Sequence, residues 1–221
     1  MSDIIASMGV IALTGIFIGA LFYFLQIRKK NKAEALARFC QAEAIALRIE
    51  ENRLSKKTFF SRGKWQIVAE LTSTINTAET GSSEWSGNTI LTATPAQPDH
   101  PVFVMGSCPS AENFDLVPDW IQANIVTKLR YDLNVGEDFA PEHFARSIGR
   151  MSFIAFAPDE ASATAAYASL EPFLAVWPAQ IPLTIFVGPE QIRIQLLTHY
   201  LQEIPLLRQL IALGEHLIVW K

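Results

Sequence analysis

The sequence is short of charge, of cysteine and of any signature of chemistry. Only 18% of its 221 residues are charged, against roughly a quarter in an average soluble domain. With half the residues hydrophobic, that scarcity excludes a disordered chain, which is rich in charge and poor in apolar side chains. Eleven Gly and 12 Pro are too few for a collagen-like repeat, and two Cys are too few for a disulfide scaffold. Neither Cys40 nor Cys108 lies in a CxxC pattern, so free thiols are expected. No phosphate-binding loop, GxGxxG, GxSxG, HExxH or EF-hand loop occurs. The four His are His100, His143, His199 and His216. His199 and Glu203 are four apart, the spacing of one helix face, but they lack further ligands. The expectation is a protein with no catalytic, metal or cofactor site.

What is present is concentrated at the N-terminus. Ile4 to Ile27 contains no Asp, Glu, Lys, Arg or His. As a helix this run is about 36 Å long, enough to span a hydrocarbon core of about 30 Å with some tilt. No basic residue precedes it, whereas Arg28, Lys29, Lys30 and Lys32 follow it. A secretory signal has the reverse order, with a cationic n-region before a shorter core. The expectation is therefore an uncleaved transmembrane anchor over residues 1–27, in the inner membrane, with the N-terminus outside and the remainder cytoplasmic. The four cations would meet anionic headgroups of the lipid bilayer. Ala12, Gly15 and Gly19 form a small-residue stripe of GxxxG type, a candidate face for packing on other integral membrane subunits.

Charge is divided along the chain. Residues 1–64 carry 11 Lys and Arg against 5 Asp and Glu, and the remainder carries the acidic excess. An acidic distal part repels nucleic acid, and the cations and aromatics around Lys56, Lys57, Arg62 and Trp65 lie close to the expected anchor, so no nucleic-acid partner is expected.

Residues 28–57 hold many helix formers and no Gly or Pro, and read as a basic helical stalk. Residues 58–221 read as an acidic α+β domain. Alternation predicts strands at Trp65–Leu71, Ile90–Thr94 and Val102–Met105, the apolar run Met151–Ala157 another, and Leu183–Val187 with Ile192–Leu196 a hairpin around Gly188-Pro189-Glu190. Helices are predicted after Pro118-Asp119, after Pro158-Asp159-Glu160 with a bend or break at Pro172, and from about Ile204 to Ile218. The predicted order is βββαβαββα, an α+β fold with mainly antiparallel strands. Trp85, in the polar stretch Ser82-Ser83-Glu84-Trp85-Ser86-Gly87, either tucks into the core or anchors a partner.

Phe153-Ile154-Ala155-Phe156, the acid-opened helix ending Leu170-Glu171-Pro172-Phe173-Leu174, the strand pair and Leu-rich helix that follow, and the opening Gly63-Lys64-Trp65 form one pattern. Over about residues 35–217 it resembles a class of uncharacterised bacterial membrane-anchored proteins with an α+β cytoplasmic domain. The resemblance implies the fold and the membrane setting, and no activity. The function expected is a non-catalytic, single-span accessory or scaffold subunit of a larger membrane complex. The alternative is a membrane-tethered sensor or small-ligand-binding domain.

Overall fold

The computed structural model describes residues 2–75, 83–97, 100–108 and 118–220, with side chains except at 2–16, 18, 19, 74, 75, 83, 84 and 119. The chain divides into two units, Met1–Ala44 and Ile45–Lys221.

The first unit is one helix, α1 (Ser2–Ala42). Among the described residues, no helix is long and apolar enough to cross a membrane. This corrects the expected transmembrane anchor, and with it the single-pass inner-membrane location and the membrane-protein description. The expected stalk is corrected as well. Helix ends at Ala42, Ala44 takes a left-handed conformation (φ 53°), and the chain continues as strand.

Among the described residues the second unit holds nine strands and three helices: β1 (Ala46–Glu51), β2 (Ser55–Arg62), β3 (Trp65–Ile75), β4 (Ser83–Ala93), β5 (Phe103–Cys108), α2 (Asp119–Leu133), β6 (Glu142–Ile148), β7 (Met151–Ala157), α3 (Glu160–Leu174), β8 (Leu183–Val187), β9 (Ile192–Leu197) and α4 (Ile204–Val219). The strands form one sheet in the order β1-β2-β3-β4-β9-β8-β5-β7-β6, and every neighbouring pair is antiparallel. The predicted order βββαβαββα is thus corrected by three further strands, β1, β2 and β6.

Local chemistry explains several boundaries. Asn52 closes the β1–β2 hairpin: its side-chain Oδ1 accepts from Leu54 N at 2.9 Å and Ser55 N at 2.7 Å. Gly63 turns β2 into β3 with φ +58°, a conformation that suits glycine. Asp159 caps α3 by accepting from Ser162 N at 2.7 Å. That bond is also the largest reason its carboxyl is held below the usual range. Pro172 does not break α3, which runs on to Leu174.

Alternation along the strands gives the sheet two unequal faces. One is buried: Phe60, Ile67, Leu91, Ile194, Ile185, Met105 and Ala155 lie in line across seven strands. The apolar sides of α3 and α4 cover it, with Leu170, Leu174, Leu207 and Leu210 buried. Gly214 of α4 sits so close that a Cβ there would meet Leu91 Cδ1 at 2.7 Å. On the other face Leu129 and Leu133 of α2 pack on Val104 and Phe186. The segment β5-α2-β6-β7-α3-β8 shares the chain and strand order of the split βαβ arrangement. Here, however, α2 and α3 cover opposite faces. Such an architecture hosts many functions and specifies none.

Candidate functional site

The sequence candidates separate in the structure. Arg28, Lys29, Lys30 and Lys32 are exposed on α1, and Lys30 Nζ lies 3.9 Å from Glu34. The side chains of Ala12, Gly15 and Gly19 lie outside the described residues.

Trp85 is on a strand, not in a polar loop, because β3 and β4 extend well beyond the apolar cores that alternation marks. It is 53% exposed, which answers the alternative left open: it does not tuck into the core. Its setting follows from the register. Trp85 is opposite Ser73 on β3. Ser73 N in turn donates to Leu54 O at 2.7 Å, which sets Leu54 in the same cross-strand row. Leu54 is 49% exposed and Ser73 only 9%. Two large apolar side chains therefore flank a small, buried one at the end of the sheet.

Beside this row runs the segment 198–203, between β9 and α4. It is tied down at four points. Thr89 Oγ1 donates to His199 O at 2.8 Å and accepts from Leu201 N at 3.1 Å. The hydroxyls of Tyr200 and Thr58 lie 2.8 Å apart. Gly87, two residues beyond Trp85, admits the loop: a Cβ there would meet Tyr200 N at 2.5 Å. Thr198 takes a left-handed φ of 56° to enter this course. His199 Nε2 and Glu203 Oε2 lie 3.5 Å apart, so the spacing noted in the sequence does bring them together. A loop does it, not a helix. Leu54, Ser73 and Tyr200 carried no sequence signal, because their juxtaposition depends on pairing among strands far apart in the chain.

Two polar clusters join α4 to its neighbours. Ser169 Oγ and His216 Nε2 lie 2.7 Å apart between α3 and α4, and Phe173 stacks at 4.9 Å from the imidazole. Burial holds His216 below the usual histidine range. A Ser–His contact resembles a nucleophile and its base. Neither residue lines any of the three clefts described next, and the contact serves to join two helices. At the adjacent position of α4, Glu215 Oε1 accepts from Arg62 Nη2 and, at 3.0 Å, from Trp65 Nε1. Desolvation is the largest single influence on this carboxyl and pushes it up; the two donors and the Arg62 charge together outweigh it and hold it low.

Cys108 borders a cleft of about 350 Å³ with Ser107, Arg150 and Ser152. Burial raises its thiol, the opposite of what a nucleophilic cysteine needs. Both cysteines are free. A second cleft, of about 660 Å³, lies between the β2–β3 turn and the β8–β9 turn, lined by Gly63, Lys64, Thr92 and Gln191. A third, of about 770 Å³, lies between α2 and β9. There Arg193 stacks at 4.1 Å over Phe186 and lies 3.5 Å from Asp132, while Arg130 Nε donates to Phe139 O at 2.7 Å. Among the described residues no group of three or more His, Cys, Asp or Glu could hold a metal ion. No family model, curated protein or solved structure matches the chain.

Proposed function

We propose that this chain is a non-catalytic interaction subunit that docks a protein partner on the Leu54–Ser73–Trp85 row. The observation that carries the reading is Trp85. A half-exposed Trp on a paired strand, beside a second exposed apolar residue and a polar rim at His199 and Glu203, has the composition of an interface hot spot. Trp and its neighbours are held by strand pairing and by the Thr89 and Tyr200 bonds, so little ordering cost falls on binding.

The test is affinity isolation of the tagged full chain from its own cells, alongside Trp85→Ala. The expected outcome is a partner recovered in stoichiometric amount with the wild type. The variant, folded by circular dichroism, should bind at least about 30-fold more weakly, the consequence of losing a hot-spot residue of roughly 2 kcal/mol. Equal recovery by both proteins would refute this surface.

The second reading is small-ligand binding in the cleft between α2 and β9. It is favoured by one observation: Arg193 Nε is buried there with no hydrogen-bond partner among the described residues. A ligand-dependent rise in melting temperature that Arg193→Met abolishes would support it.

A further inference from the structure

Among the described residues the β1 strand is one edge of the sheet, paired only with β2. Its backbone direction is set by the hairpin. Asn52 N donates to Ser55 O at 2.8 Å, so these two form a hydrogen-bonded pair. Counting back in twos along an antiparallel ladder, residues 46, 48 and 50 bond β2, and Leu47, Ile49 and Glu51 turn their N–H and C=O outward. Among the described residues no backbone hydrogen bond is made on that outer side. Ile49 stands over the same edge. It is opposite the buried Thr58 on its inner side, yet remains 47% exposed. Edges that avoid pairing use Pro, bulges or charged side chains, Lys above all; β1 has no Pro, Lys or bulge, and its charges Arg48, Glu50 and Glu51 are of both signs, so a second strand can complement them.

The charges on either side of Ile49 are opposite in sign. Arg48 and Glu50 flank Ile49, both well exposed, 3.3 Å apart along one face. We propose that β1 pairs antiparallel with β1 of a second copy of this chain, with the two-fold axis through Ile49. In that register Ile49 meets Ile49 of the second copy, and both send backbone groups outward, as a hydrogen-bonded pair requires. Leu47 meets Glu51, again with matched backbone. Arg48 meets Glu50 twice, in the non-hydrogen-bonded pairs where side chains approach most closely.

The neighbouring registers fail on charge. Only residues of like backbone direction can oppose each other, so the axis passes through a residue and never between two. Through Arg48 it sets that arginine against itself. Through Glu50 it sets that glutamate against itself and Ile49 against Glu51.

The experiment is sedimentation of the full chain over a concentration series. The wild type should reach twice the 24.6 kDa of one chain. Arg48→Glu and Glu50→Arg each create a strand of one sign, and each alone should weaken the dimer at least about tenfold, since two attractive cross-strand pairs become repulsive. Mixed in equal amounts they should dimerise again, because 48 and 50 then carry complementary charges across the axis. Ile49→Pro should abolish the dimer while leaving β1–β2 bonded, since the lost N–H faces outward. Circular dichroism checks the fold of each variant, and two damaged chains would not restore each other on mixing. A wild type that stays monomeric throughout would overturn the proposal. So would a dimer unaffected by all three substitutions, or single variants that fail to recover when mixed.

Discussion

Gly87→Ala isolates what holds the 198–203 loop against the sheet. The backbone at Gly87 is not left-handed, so alanine brings no conformational penalty of its own; the cost is steric. The added Cβ would sit 2.5 Å from Tyr200 N, 2.9 Å from Tyr200 Cβ and 3.0 Å from His199 C. Two of these three atoms are backbone, so no side-chain rotation relieves the overlap. The loop must lift from β4. Lifting it strains or breaks the Thr89–His199, Leu201–Thr89 and Tyr200–Thr58 hydrogen bonds. Overpacking costs about 1–3 kcal/mol, and each hydrogen bond lost adds about 1 kcal/mol. The expected destabilisation is about 3 kcal/mol, or about 10 °C in Tm for a chain of this size. Urea denaturation followed by circular dichroism measures it. The double mutant with Thr89→Val should be much less destabilised than the sum of the single changes, because a lifted loop no longer uses the Thr89 hydroxyl. Gly63→Ala is the contrast: nothing lies within 4 Å of a Cβ there, so only the φ of +58° is penalised, at about 1 kcal/mol. A Gly87→Ala protein within about 0.5 kcal/mol of wild type would refute the reasoning.

Two further predictions concern titrating groups. Burial holds His100 and His216 below the usual histidine value of about 6.5, and for His100 the backbone carbonyls of Leu217 and Trp220 offset burial only in part. The unfolded chain therefore binds protons near pH 6.5 that the folded chain refuses, so stability is full above that pH and falls as pH drops below it. Urea denaturation at about pH 7.5 and 5.5 should show the loss, and His100→Gln should reduce it. Glu215, held low by Arg62 and Trp65, has the opposite origin but the same sign: its contribution is present above the unfolded carboxylate value and lost on further acidification. Because that carboxylate is partly exposed, Glu215→Gln should cost no more than about 1 kcal/mol at neutral pH, measured by the same denaturation.

Much of the β8-to-α4 region was legible because burial there follows one period. Leu183–Val187 ends where alternation and Gly188 place its end, and α4 covers the stretch marked by Leu206, Leu207, Leu210, Ile211 and Leu217. The N-terminal part of the second unit was not legible for an equally physical reason. Ala46–Glu51 is composed of residues that favour helix, such as Leu47, Arg48 and Glu50, and its strand exists because Lys56 to Ser61 offer it a ladder. Glu142–Ile148 likewise lacks a clean alternation and is a strand through its pairing with β7. The transmembrane reading of α1 rested on length without charge. The structure supports no spanning helix among the described residues.

By itself, the sequence determined where alternating or periodic apolar residues form strands and helices, where Gly63 and Asp159 punctuate them, and that no motif of known chemistry is present. Those are properties of neighbours in the chain, governed by side-chain geometry and backbone sterics over a few residues. Tertiary structure alone decided that β9 returns to pair β4 and that β5 lies between β8 and β7. It alone set Leu54, Ser73 and Trp85 in one row, and turned the outward backbone of β1 away from its only partner. Each of these depends on contacts between residues distant in sequence, whose pairing is selected by the burial of a common face rather than by any local preference.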